Sequence, residues 1–86
     1  MKITRTARFK KAWKKLSEEE KDLARKALGN LAADLRYPAL RVKKMQGVGH
    51  IWEVRVSHSL RMTFEIEEDT IILRNIERHD ETLERP

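Results

Sequence analysis

Arg55 and Arg61 lie on two consecutive runs of alternating apolar and polar residues. In the first run Trp52, Val54 and Val56 share one face, and Glu53, Arg55 and Ser57 the other. In the second, Leu60, Met62, Phe64 and Ile66 oppose Arg61, Thr63, Glu65 and Glu67. A period of two marks both runs as strands with one buried face, and the two apolar sets must then lie on the same side of the sheet. A two-residue loop at His58-Ser59 would set Val56 against Arg61 and mix the faces. A three-residue loop, Ser57-His58-Ser59, pairs Val56 with Leu60, Val54 with Met62 and Trp52 with Phe64, and puts Arg55 directly opposite Arg61. Like charges facing each other across two strands cost up to about 1 kcal/mol. Two guanidiniums so placed can also grip one phosphate, each with a planar fork of donors. The simpler reading is that Glu53 or Glu65 neutralises the pair diagonally.

A second cluster, Arg78-His79-Asp80, follows the last apolar run. His79 is the best candidate for proton transfer, since an imidazole titrates near neutral pH; its simpler role is a ring held by Asp80 or by backbone. His50, His58 and His79 match no zinc spacing, and a chain without cysteine offers no thiolate ligand. No metal and no cofactor is expected. Ser17, Ser57 and Ser59 are explained by capping and turns, and no Gly-rich phosphate loop is present in the sequence.

The elements that position these groups follow from periodicity and punctuation. Met1 to Thr4 reads as a short strand. Phe9, Trp13 and Leu16, with Ala12 beside them, form one helical stripe, and Lys10, Lys11, Lys14 and Lys15 face away from it. Ser17-Glu18-Glu19-Glu20 reads as a capping box that starts a second helix, with acidic residues suited to its dipole. Ala24, Ala27, Leu28, Leu31 and Leu35 make that helix's buried face. Gly29 costs it about 1 kcal/mol relative to alanine, and Arg36-Tyr37-Pro38 stops it. A short strand is expected around Val42 to Met45, ahead of Gln46-Gly47-Val48-Gly49, and Thr70 to Ile76 follows a turn at Glu68-Asp69. Pairing Ile66 with Ile71 and Phe64 with Leu73 serves the core but leaves Ile72 and Ile76 on the arginine face. A bulge, or a cover over that face, is then required. The expected fold class is α+β: an N-terminal strand and a two-helix hairpin packed on one face of a three- to four-stranded, mostly antiparallel sheet.

With 86 residues, 1–86 is expected to be one domain. Its apolar fraction of 40% is too high for a disordered tail. No apolar run approaches the ~20 residues that span a bilayer, so no membrane partner is expected. The absence of cysteine fits a reducing cytoplasm. A net charge of +5 draws the chain to polyanions, nucleic acid above all.

Order and spacing of several short motifs resemble the RelE/ParE superfamily of toxin–antitoxin toxins. They are Phe9 and KKL at 14–16, KKMQG at 43–47, IWEVRV at 51–56, LRMTFEI at 60–66 and RHDETL at 78–83. In the RelE branch the resemblance implies a ribosome-dependent mRNA endonuclease that inhibits translation. Cleavage there is metal-free, by attack of the ribose 2′-hydroxyl on the adjacent phosphate. Arg55 matches a basic strand position, Arg61 the arginine that contacts the scissile phosphate, and His79 a position near the leaving group; these three are the expected catalytic residues. Lys43, Lys44 and Arg78 are the expected RNA-binding residues. Leu60 stands in place of a tyrosine before Arg61, and Leu83 near the place of a C-terminal tyrosine. The resemblance also implies a cognate antitoxin encoded nearby, with the ribosome and mRNA as further partners. Its ParE branch implies another reading, a DNA gyrase inhibitor, and a third is a degenerate member that only binds its antitoxin.

Overall fold

Thr6 joins the two halves of the chain. In the structure, a computed structural model that describes residues 2–34, 42–45 and 50–78, this residue caps the first helix. Its side-chain oxygen accepts from the Phe9 amide at 3.1 Å, and its hydroxyl lies 3.0 Å from the Leu73 carbonyl and 3.2 Å from that of Arg74. Its own amide donates to Leu73 O at 3.1 Å. One side chain thus fixes both a helix start and a point on the last strand.

The elements in chain order are β1 (Lys2–Arg5), α1 (Ala7–Lys14), α2 (Glu18–Ala33), β2 (Lys43–Lys44), β3 (Trp52–Arg55), β4 (Leu60–Glu67) and β5 (Thr70–Arg78). They build one sheet in the order β1-β5-β4-β3-β2. Its pairs are antiparallel except β1 with β5, which run parallel. The sheet therefore has five strands, because the N-terminal strand joins it as an edge instead of standing apart. The α+β class and the helical hairpin are as expected.

The turn into α2 is a capping box. The Ser17 amide donates to Glu20 Oε1 at 2.9 Å, and the Glu20 amide donates to Ser17 Oγ at 3.1 Å. The Ser17 amide holds the Glu20 carboxyl below its ordinary pKa, and the nearby Arg78 charge adds to the effect. Both helices lie on one face of the sheet. Phe9, Ala12, Ala24, Ala27 and Leu31 meet Val54, Leu60, Met62, Phe64, Ile71, Leu73 and Ile76 in one core. Each large side chain buried there contributes about 1.5–3 kcal/mol. Trp13 is partly buried, stacked on Phe9 with ring centroids 6.0 Å apart and covered by the Arg25 guanidinium at 5.6 Å. Leu35, Tyr37, the 46–49 segment and residues 79–86 lie outside the described residues.

The expected β3–β4 register holds throughout: Trp52 faces Phe64, Val54 faces Met62 and Arg55 faces Arg61. The Val56 and Ser57 amides both donate to Leu60 O, at 3.0 and 3.2 Å, and close the three-residue loop. Between β4 and β5 the register shifts: Thr63 faces Asn75 but Phe64 faces Leu73, so Arg74 is the extra residue of a bulge. The Thr6 hydroxyl lies within hydrogen-bonding distance of the carbonyls flanking that irregularity. Beyond it every side chain of β5 changes face. Ile76 moves opposite Met62 and is fully buried, so only Ile72, opposite Glu65, stays on the arginine side.

Candidate anion-binding site

The sheet face away from the helices carries the arginines, in two rows that follow from the register. One row runs Lys43, Glu53, Thr63, Asn75 across β2, β3, β4 and β5; the next runs Arg55, Arg61, Glu77 across β3, β4 and β5. Glu53, Thr63 and Asn75 are all buried.

Arg61 is the fixed member of the arginine pair. Its side chain is 14% exposed. Nη1 donates to Ser57 O at 2.7 Å and lies 3.3 Å from both His58 O and Leu60 O. Nε is 3.6 Å from Glu53 Oε1. The hairpin turn and a buried carboxylate together set the plane of this guanidinium. Glu53 is the diagonal neutraliser that the sequence offered as the simpler reading. It is 3% exposed, and its Oε1 also lies 4.0 Å from Lys43 Nζ. Its Oε2 is buried and accepts no hydrogen bond from the described residues. Arg55 is half-buried, with Nη2 3.5 Å from His58 Nδ1. The pair is therefore asymmetric: Arg61 is held by the turn carbonyls and Glu53, whereas Arg55 has His58 beside it.

A second ion cluster flanks the first on the same face. Glu65 Oε1 lies 2.9 Å from His50 Nε2 and 3.1 Å from Arg74 Nη1. His50 is thus placed with a carboxylate rather than with His58. Among the described residues no group of three or more His, Asp or Glu side chains is arranged to hold a metal ion.

The structure brings together three of the six residues singled out, Arg55, Arg61 and Lys43. Lys44 pairs with Trp52 and so lies on the helix side of the sheet. Arg78 faces Leu60, also on the helix side, at the edge of a cavity of about 240 Å³ that Lys15 and Glu20 also line. The bulge explains Arg78: without the extra residue at Arg74 the alternation would have kept it on the arginine face. His79, one residue beyond β5, lies outside the described residues. His58 was missed as a neighbour of Arg55. Its place in the three-residue loop between the two arginines was the available signal.

No family model and no curated protein matches this sequence. Solved structures do. The toxin–antitoxin complex RelB-RelE from Methanococcus jannaschii matches with a TM-score of 0.76 at 19% identity, over 95% of this chain and 98% of that one. The YoeB/ParE toxin from Agrobacterium tumefaciens gives 0.76 at 12% identity over 92% and 99%. A metal-bound toxin from Helicobacter pylori gives 0.74 at 23% identity over 94% and 97%. Over nearly its whole length, then, this chain has the fold of the RelE- and YoeB/ParE-like toxins.

Proposed function

We propose that this chain is the toxin of a type II toxin–antitoxin pair and that it cleaves mRNA on the ribosome without a metal ion. The observation that carries this reading is the opposed pair Arg55 and Arg61, set face to face on the sheet surface that the helices leave uncovered. Nearly complete likeness of fold to toxins, one of them solved with its antitoxin, supports it.

The chemistry is phosphoryl transfer within the RNA. The ribose 2′-oxygen attacks the adjacent phosphorus and gives up its proton to solvent water. The bond from phosphorus to the 5′-oxygen breaks, leaving a 2′,3′-cyclic phosphate and a 5′-hydroxyl. Negative charge grows on the non-bridging oxygens as the new bond forms. Arg61, held in one orientation by Ser57 O and Glu53, supplies donors that need no reorganisation, and Arg55 closes on the other side. His79 is assigned the proton for the leaving 5′-oxygen, and Lys43 a phosphate along the strand. Lys44 and Arg78 would contact RNA only where it passes over a sheet edge or end. The partners are a cognate antitoxin encoded nearby, the ribosome and mRNA, in the cytoplasm.

The test is induction in cells with mapping of mRNA 5′ ends, wild type beside Arg55→Ala, Arg61→Ala and His79→Ala. Cleavage should fall about 10²–10³-fold when one oxyanion donor is removed. Intact mRNA alongside arrested growth would overturn the reading. One observation favours a second: Arg61 is largely buried and already engaged by Glu53. That suits a protein that keeps the fold and its antitoxin but does not cleave RNA, including a gyrase inhibitor. A supercoiling assay with purified gyrase separates these, since an mRNA endonuclease leaves supercoiling unchanged.

A further inference from the structure

The whole net charge of this protein resides on one short segment. Of its 19 lysines and arginines, five (Arg8, Lys10, Lys11, Lys14 and Lys15) fall in residues 7–15, which hold no Asp or Glu. The other 14 cations are matched by the 14 acidic residues of the rest of the chain. At ~100° per residue the five cations occupy an arc of roughly 160°, opposite an arc of roughly 100° that holds Ala12, Leu16, Phe9 and Trp13. The structure bears out the partition: Phe9 and Ala12 are buried, and all five cations are exposed. The stems of Lys10, Lys11 and Lys14 and the side chains of Ala7 and Arg8 line a shallow depression on this outer face. The helix itself packs on β5, on the side of the sheet opposite Arg55 and Arg61.

We infer that the outer face of α1 is a docking surface for an RNA phosphodiester backbone, separate from the arginine site and read without regard to sequence. Charge complementarity is the argument. The segment holds five cations and no carboxylate of its own, so it presents a net positive face that attracts polyanions. The composition selects RNA over an acidic protein. Protein interfaces are depleted in lysine and built on buried aromatic or aliphatic anchors, and both aromatics of α1 are turned inward. Lysine is a flexible point charge suited to a backbone of evenly spaced phosphates. Two cationic surfaces on opposite sides of a thin sheet allow one RNA segment to be held on α1 while another reaches the arginines. This deepens the proposed RNA-directed function, yet the binding is measurable without cleavage.

The test uses the full chain, a labelled single-stranded RNA and purified ribosomes, with affinity followed across salt concentration. Three variants are compared with wild type: Lys10→Gln/Lys11→Gln/Lys14→Gln, the same three positions changed to Arg, and Arg55→Gln. The glutamine triple should weaken binding at low salt and flatten the salt dependence by about 2 in log–log slope, at ~0.7 per lost contact. The arginine triple should keep the wild-type slope, which guards against a loss caused by misfolding. An unchanged slope in the glutamine triple overturns the inference, as does retained RNA binding with lost antitoxin binding, which would assign α1 to a protein partner. If the slope flattens while no variant, nor wild type, cleaves mRNA, the docking surface stands and the nuclease reading falls. If Arg55→Gln abolishes cleavage and the glutamine triple changes nothing, the reverse holds.

Discussion

Glu53 can be removed without changing side-chain volume, and Glu53→Gln asks whether it holds Arg61 in place. Oε1 and Arg61 Nε are 3.6 Å apart, and the two side chains are 4% and 14% exposed. At an effective dielectric of ~20 the attraction at this distance is about 4–5 kcal/mol before desolvation is charged against it. Breaking a buried pair by deleting one member costs about 3–5 kcal/mol, because the other charge is left without its counter-ion. Here the turn carbonyls still receive Arg61, so the lower end applies. A further part of the loss is the Arg55–Arg61 repulsion, up to about 1 kcal/mol once Glu53 no longer offsets it. We expect Glu53→Gln to destabilise the fold by about 3 kcal/mol in urea denaturation. In a double-mutant cycle with Arg61→Gln the coupling should be about 2 kcal/mol. The same cycle between Glu53→Gln and Lys43→Gln should give below ~1 kcal/mol, since the Lys43 side chain is 66% exposed and sits 4.0 Å away. Coupling to Arg61 below ~0.5 kcal/mol, or no larger than the coupling to Lys43, would refute the claim that Glu53 fixes this guanidinium.

Gly29→Ala should raise stability by about 1 kcal/mol, read as a higher urea midpoint, because an added Cβ meets nothing within 4 Å and the helix gains propensity. Thr6→Ala should cost about 2 kcal/mol, combining a lost N-cap with carbonyls at the bulge left without the hydroxyl, while Thr6→Ser restores most of it; equal melting of the two variants would count against the bulge contact. Glu68, with φ of 55°, is in the left-handed region, so Glu68→Gly should raise the melting temperature, by about 0.5–1 kcal/mol in stability terms. The Glu20 carboxyl has a lowered pKa in the fold, so its contribution is complete above the ordinary glutamate range and is lost as pH falls through the lowered value. Glu20→Gln should therefore lower stability at neutral pH and flatten the acid limb of the stability profile.

What the sequence made legible was the part governed by local rules. The capping box at Ser17, the helical stripe through Phe9 and the β3–β4 register each follow from neighbours a few residues apart. Arg55 facing Arg61 could be derived because a two-residue loop mixes the faces, whereas the three-residue loop keeps Val56, Val54 and Trp52 on the core side. The bulge at Arg74 was anticipated only as a need, from Ile76 on the wrong face. Thr6, 67 residues away from Leu73, contacts the carbonyls at its position, and no local pattern encodes that contact. The consequence for the site was large. One extra residue buried Ile76, turned Glu77 toward Arg61 and took Arg78 to the helix side. Lys43 and Lys44 were separated for a related reason: β2 is two residues long, too short for alternation to show which lysine joins the arginines.

The departures from local rules are not spread evenly through this molecule. On the helix side of the sheet, the described residues follow them: capped helices, an apolar core, and Trp13 covered by Arg25. On the other side two arginines face each other, and the three buried polar residues among the described residues, Glu53, Thr63 and Asn75, line one row. A carboxylate there buries an oxygen that accepts no hydrogen bond from the described residues. A fold under selection for stability alone would fill the Glu53, Arg55 and Arg61 positions with β-branched residues. Concentration of such costs on one surface is the pattern expected where function opposes stability. Replacing the set Glu53, Arg55 and Arg61 together by Thr or Val should stabilise the sheet even though Glu53→Gln alone destabilises it, because the costs belong to the set and not to any one member. A triple variant less stable than Glu53→Gln would mean that the arginine face is structural, and the case for a phosphate site would lose its energetic support.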